Sequence, residues 1–213
     1  MSAENATVFV VDDDAQVRES LSLMVHSMGL EVETYPSAEE FLDGYREAAD
    51  SPRCMVLDVR MPGLSGLGLQ EMLASQGKGI PIIMISGCAD IPMAVKAMSA
   101  GALDFLEKPI SRRMLSARIR EAIDHHVRQQ RKATRKIELA RHVENLSSRQ
   151  REVLDLLIAG ESSKPIAKRL EIGEKTVAKH RAAVLGKMQV DNVVELVRLF
   201  VDANLPREIG QPD

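Results

Sequence analysis

The sequence predicts a doubly wound α/β domain on a five-stranded parallel sheet of order 2-1-3-4-5, joined by a long helical linker to a small all-α helix-turn-helix domain. Three observations lead there. From Thr7 to Ala122, short runs of β-forming residues alternate with helical patterns, which is the signature of βα units. Three of those runs end in charge: Val8-Phe9-Val10-Val11 enters Asp12-Asp13-Asp14, Cys54-Met55-Val56-Leu57 enters Asp58, and Asp104-Phe105-Leu106-Glu107 enters Lys108-Pro109. Open α/β sheets place ligand chemistry at the carboxyl ends of their strands. Beyond Ala122 the alternation stops, and a charged stretch without Pro or Gly leads into several short helical segments.

Taken in order, strands are expected at Thr7–Val11, Glu31–Tyr35, Cys54–Asp58, Ile80–Ile85 and Ala102–Leu106. The first helix, Ala15–Met28, keeps Val17, Leu21, Met24, Val25 and Met28 on one face, with Asp14 as its N-cap. Ser37 followed by Glu40 reads as a capping box opening the second helix. Gly66–Ser75 and Ile91–Ala100 form the third and fourth. The fifth starts at Ser111 and runs on into a charged helical linker over residues 124–142, with room for one break. The pair His125-His126 reads as solvated surface on that linker rather than as metal ligands, because adjacent residues on a helix point apart.

The domain limits expected are 1–123, a linker 124–142, and 143–213. In the last segment, Ser147 with Gln150 caps a helix carrying Val153, Leu154, Leu156, Leu157 and Ile158 that stops at Gly160. Ser163–Leu170 and a helix from Gly173 to about Met188 follow, separated by the tight turn Glu171-Ile172-Gly173. Asn192 with Glu195 caps a final helix whose Val193, Val197 and Phe200 are expected to exceed what so small a bundle buries.

Composition narrows the class. No apolar run approaches the ~20 residues of a spanning helix, and the N-terminus lacks a basic segment followed by an apolar core. Two cysteines, Cys54 and Cys88, make no disulfide framework and fit a reducing compartment, so a cytoplasmic protein is expected. Residues 1–123 carry 11 Lys/Arg against 18 Asp/Glu, a net −7, whereas residues 124–213 carry 17 against 13, a net +4. An acidic front and a basic back suit a metal or phosphate chemistry module tied to an anion-binding one.

A carboxylate is a weak nucleophile toward phosphorus, and an acyl phosphate forms readily only where charge is neutralised. Asp12, Asp13 and Asp58 with Lys108 and one Mg²⁺ sum to zero charge. Mg²⁺ prefers one or two carboxylates plus water and phosphate oxygens. Lys108 supplies a point charge for a phosphoryl oxygen, and Ser86, beside Gly87, supplies a hydroxyl at the end of the fourth strand.

Val10-Val11-Asp12-Asp13-Asp14, Leu57-Asp58-Val59-Arg60-Met61-Pro62-Gly63, Ser86-Gly87 and Phe105-Leu106-Glu107-Lys108-Pro109 together resemble the receiver domain of bacterial two-component response regulators. The resemblance implies that Asp58 accepts phosphate from a sensor histidine kinase. It further implies that Asp13 ligates Mg²⁺ (or Mn²⁺) directly, Asp12 through water, and Arg60 through its backbone carbonyl. Ser86 and Phe105 match the paired switch positions, although the family aromatic is often Tyr. Lys108-Pro109 matches a bond usually cis in the family. The segment from Asp90 to Ala102 resembles the surface used for dimerisation on phosphorylation, with packing of Met93, Val95 and Met98 on the sheet as the alternative.

Leu146-Ser147-Ser148-Arg149-Gln150-Arg151-Glu152, Lys164-Pro165-Ile166-Ala167-Lys168-Arg169-Leu170 and Lys175-Thr176-Val177-Ala178-Lys179-His180-Arg181 resemble the LuxR/FixJ-type helix-turn-helix, nearest to the FixJ/StyR/TodT group. Independently, Val177, Val184 and Met188 share one face of the second helix, which turns Lys175, Ala178, Lys179 and Ala182 outward toward a major groove. The DNA-facing set is Lys164, Lys168, Lys175, Thr176, Lys179, His180 and Arg181. Arg169 and Lys187 are further phosphate candidates.

The chain is therefore expected to be a phosphorylation-dependent transcriptional regulator, an activator like most relatives, with promoter DNA, RNA polymerase and a second copy as partners. A receiver-gated RNA-binding antiterminator is the alternative, and Phe200 as the single aromatic after residue 143 speaks against it. Residues 143–213 contain no nucleophile–base set, so chemistry is expected only at Asp58 itself, as self-phosphorylation and self-hydrolysis.

Overall fold

The computed structural model describes residues 6–46, 51–87 and 91–203. Strands β1 (Thr7–Val11), β2 (Glu31–Tyr35), β3 (Arg53–Asp58), β4 (Ile82–Ser86) and β5 (Asp104–Glu107) form one parallel sheet in the order β2-β1-β3-β4-β5. Helices α1 (Ala15–His26), α2 (Ala38–Gly44), α3 (Gly66–Ser75), α4 (Ile91–Ser99) and α5 (Arg112–Glu144) follow the strands in turn. The expected fold and strand order are both found. β4 starts two residues later than the apolar run suggests, because Pro81 has no N–H for the ladder. β5 also starts late, since Ala102 is still tied to Ala97 at the end of α4.

Alternation builds the layers. Along β1, Phe9 and Val11 join one apolar layer while Val8 and Val10 join the other, and on β3 Met55 and Leu57 divide from Cys54 and Val56 in the same way. Phe41 of α2, Leu69 and Leu73 of α3, and Ala97 of α4 close the first layer. Leu21 and Val25 of α1 with Leu115 and Ile119 of α5 close the second. Covered on both faces, β3 is buried over its whole length. The pairs Val11↔Leu57 and Asp58↔Ile85 bring the ends of β1, β3 and β4 level.

Packing divides the chain into a unit ending at Gln129 and one beginning at Gln130. The linker is part of α5, which runs 33 residues without a break. His126 is not the solvated linker residue expected. It is 7% exposed, because it continues the buried stripe of Leu115, Ile119, Ala122 and Ile123 at helical spacing. His125 points away and is half-exposed. Cys54 is buried, and Cys88 and Asp90 lie outside the described residues.

In the second unit, α6 (Ser148–Ile158), α7 (Ser163–Arg169), α8 (Glu174–Lys187) and α9 (Val193–Asp202) enclose a core of Leu154, Ile166, Val177, Val184, Leu196 and Phe200. Leu139 and Val143 of α5 enter the same core. Ser147 and Gln150 complete a reciprocal capping box on α6, and Gly160 ends the helix at φ 85°. In the turn between α7 and α8, Glu171 takes the left-handed conformation at φ 54°. Phe200 is buried, contrary to expectation, because it follows Leu196 by one turn on the core face. Outside that core face, α9 exposes Val194 and Val201, with Val197 half-exposed. Among the described residues, no helix is long and apolar enough to cross a membrane.

Candidate functional site

Three strand ends meet at one ammonium. Lys108 Nζ, just past β5, donates to Asp12 Oδ2 at 2.6 Å and to Asp58 Oδ1 at 2.6 Å. Asp58 closes β3 and is almost wholly buried, and its Oδ2 accepts from the Arg60 N–H at 2.7 Å. Asp12 closes β1 without exposure, and its Oδ1 accepts from the Asp14 N–H at 2.9 Å. Asp13 faces solvent, as successive residues along an extended chain must diverge. Among the described residues, no three acid, His or Cys side chains close into a metal cage. The bridged pair Asp12 and Asp58 is what the fold brings together.

The electrostatics follow from burial. Desolvation pushes the Asp12 carboxyl above the usual carboxylate range, and the Lys108 and Asp14 hydrogen bonds only partly oppose it. Burial also works against the Lys108 ammonium, but its hydrogen bonds to Asp12 and Asp58 outweigh that and raise its pKa. Two buried carboxylates thus share one cation. This donor set fits a hard divalent ion, which takes one or two carboxylates and completes its shell with water.

Ser86 is buried at the end of β4, and its carbonyl accepts from the Lys108 N–H at 2.9 Å. Phe105, half-buried on β5, packs against the layer that contains Met84 and Ala97. Lys108-Pro109 is cis, as the resemblance implies. On α4, Met93 packs on the core while Val95 and Met98 are 58% and 46% exposed. The alternative of sheet packing therefore holds for Met93 alone.

Sequence reasoning missed three supports. Arg18 Nη1 donates to the Asp12 and Asp13 carbonyls at 2.7 and 3.0 Å, clamping the acidic turn to α1. Glu39 Oε1 accepts from the Leu64 N–H at 2.8 Å, tying α2 to the loop after Asp58. A Cβ at Gly66 would overlap the Asp58 carbonyl oxygen, so α3 starts against the acceptor's own backbone. Gly66 and Gly68 at a helix start were the available signal, since helix propensity disfavours both.

In the second unit, Lys164, Lys168, Lys175, Thr176 and Lys179 are exposed on α7 and α8, and His180 and Arg181 are half-exposed. Val177 and Val184 are buried and Ala178 and Ala182 exposed, as the spacing requires. Arg169 and Lys187 are engaged within the unit. Arg169 pairs with Glu161 at 2.9 Å, and Lys187 donates to the Asn145 carbonyl and Gln150 Oε1 at 2.8 Å each. The guanidinium of Arg149 reaches the Leu170 carbonyl, holding α6 to the turn.

With this geometry in view, the chain is similar to known proteins over nearly all of its length. Residues 8–120 match the response regulator receiver domain, and residues 144–200 match the luxR family of bacterial regulatory proteins. The response regulator protein TodT of Pseudomonas putida F1 is 43% identical over 93% of this chain and 87% of its own. The transcriptional regulatory protein FixJ of Bradyrhizobium diazoefficiens is 39% identical over 93% and 96%. Among solved structures, the response regulator StyR superposes with a TM-score of 0.77 at 41% identity, covering 92% of this chain and 98% of that one. Full-length FixJ from B. japonicum gives 0.56 at 39% identity, over 93% and 97%.

Proposed function

The chain belongs to the two-component response regulators with a luxR-family domain, and on that premise we propose that Asp58 is the phosphoacceptor controlling assembly and promoter binding. The observation that carries the reading is the bridge from Lys108 to Asp12 and Asp58 at three strand ends. A carboxylate oxygen of ionised Asp58 attacks the phosphorus of a kinase phosphohistidine, the P–N bond breaks with its electron pair going to nitrogen, and the leaving imidazole takes a proton from solvent. Lys108 stays beside the new phosphoryl oxygens as their cation. Asp12, Asp13, Asp58 and the Arg60 carbonyl would hold Mg²⁺ or Mn²⁺, which supplies neutralising charge when bound. Ser86, one residue past the Asp58 partner Ile85 on β4, hydrogen-bonds the phosphoryl group, and Phe105 reports its movement on β5.

Output runs through two apolar faces. Val95 and Met98 of α4 pair receivers, and Val194, Val197 and Val201 of α9 pair the second units. Two copies then present α8 to two half-sites, and linkage multiplies the weak affinity of each. Lys175, Thr176, Lys179, His180 and Arg181 face the groove, while Lys164 and Lys168 hold phosphates. The outcome is activation by contact with RNA polymerase in the cytoplasm.

Sedimentation velocity with Mg²⁺, with and without beryllofluoride, tests the reading. Wild type is expected to shift from monomer to dimer, and Asp58→Asn to stay monomeric. A shift in both, or in neither, refutes Asp58 control of assembly. Retention of single-stranded RNA in preference to duplex DNA would instead favour an antiterminator.

A further inference from the structure

We infer that the exposed stretch of α5 just before the second unit's bundle is an additional nucleic-acid surface, which grips the phosphate backbone of duplex DNA beside the α8 contact. The inference rests on the DNA-binding reading of the second unit. Its residues are Arg131, Lys132, Arg135 and Lys136, spaced i, i+1, i+4 and i+5. At ~100° per residue these fall within a single arc of about 140° on the helix. All four are exposed. No hydrogen bond or ion pair engages any of them among the described residues, whereas Arg149, Arg169 and Lys187 of the same unit are all committed to internal partners.

Register gives the stripe a direction. Leu139 and Val143 lie within the same arc, one and two turns further on, and both are buried in the core with Val184 and Phe200. The cations therefore continue the face that α5 presses into the bundle, and the bundle fixes their orientation. Arg135 borders a groove of about 250 Å³ that also meets Met188 and Gln189, at the C-terminal end of α8. The stripe thus starts beside the end of the helix proposed to enter the groove.

The chemistry selects the partner. Ile137, the one exposed large apolar side chain on this stretch, lies on the opposite side of the helix. A helix lying on a lipid surface combines cations with an apolar face that penetrates the headgroups, and this stripe has none. Cations at one-turn intervals with nothing apolar among them match a regularly charged polyanion in water. Such contacts add affinity and salt dependence without choosing a sequence.

The test uses full-length chain and a labelled duplex of arbitrary sequence. The variant R131Q/K132Q/R135Q/K136Q keeps helix propensity, because Gln, Lys and Arg rank together, and circular dichroism checks that it does. Each phosphate contact contributes a slope of ~0.9 in log K against log salt concentration. The variant is expected to be flatter than wild type by about 1.8 to 3.6, for two to four lost contacts. The control R113Q/R120Q, exposed on the receiver part of α5, is expected to leave the slope unchanged. A flattening below ~1.8 overturns the inference, as does a loss of equal size in the control. Binding of wild type to phosphatidylserine vesicles, lost in the variant with the DNA slope intact, also overturns it and assigns the stripe to lipid. If wild type retains no duplex at all, the DNA-binding reading falls and this inference with it.

Discussion

His126 gives the receiver unit a specific acid sensitivity. Burial, with the neighbouring charges of Arg53 and His125, lowers its pKa from 6.5 to about 4. Arg53 is itself buried and held in place, donating to the Tyr45 hydroxyl at 2.6 Å and to the Ser51 carbonyl at 3.2 Å. The folded unit keeps the imidazole neutral, with Nδ1 unpartnered among the described residues. Once the pH falls below 6.5, the unfolded chain takes up a proton that the folded chain refuses until about 4. The stability concerned is fully present above the unfolded pKa and is lost as pH falls toward the folded one. The full loss is about 3 kcal/mol, of which about 2 kcal/mol falls between pH 7 and pH 5. Urea unfolding at both pH values, followed by tyrosine fluorescence, measures it. The chain has no Trp and two Tyr, Tyr35 and Tyr45, so the signal belongs to the receiver unit alone. His126→Gln has no charge to gain and should lose about 2 kcal/mol less than wild type over that interval. Equal losses in the two proteins would refute a buried neutral His126.

Three further outcomes follow from the same structure. Asp12→Asn should raise the urea midpoint of the metal-free receiver, because burial holds the Asp12 pKa up and its ionised form is a cost at neutral pH. It should also weaken stabilisation by Mg²⁺, and a lower midpoint would contradict the assignment. Gly66→Ala should destabilise the receiver by about 1–3 kcal/mol, because its methyl needs the space of the Asp58 carbonyl oxygen; an unchanged urea midpoint would show that α3 can slide. Ser147→Ala breaks the capping box on α6 and should cost the second unit about 1 kcal/mol, read by hydrogen exchange in α6.

The parts of the fold written in periodicity were legible. β1 and β2 start and end where the β-forming runs do, and α3 spans Gly66–Ser75 as its pattern indicates. Site composition was legible too, since Asp12, Asp58 and Lys108 stand at the ends of three recognisable strands. What failed was tertiary. His126 looked solvated because its local sequence is charged, yet the apolar stripe of α5 extends one turn further than the flanking charges suggest. Phe200 looked surplus to a small bundle, until Leu139 enlarged the core from outside the expected domain and Val143 from its first residue. Arg18 and Glu39 grip backbone atoms in their neighbourhoods, and such contacts leave no periodic trace in sequence.

The balance of charge at the site explains why it suits a switch. Lys108 satisfies one oxygen of each buried acid, yet Asp12 remains harder to ionise than a free carboxyl. One ammonium is therefore less cation than two desolvated carboxylates require. In the proposed reaction, a divalent ion held by Asp12 and Asp58 would supply that deficit, and Lys108 would stay beside the phosphoryl oxygens as their cation. The Lys108 N–H is bonded to the Ser86 carbonyl, which ties the backbone of the lysine to the end of β4. β4 pairs with β5 through Met84↔Phe105 and Ser86↔Glu107, which joins the site to the strand that α4 packs against. A site whose charges were already balanced would gain less from a divalent ion and a phosphoryl group.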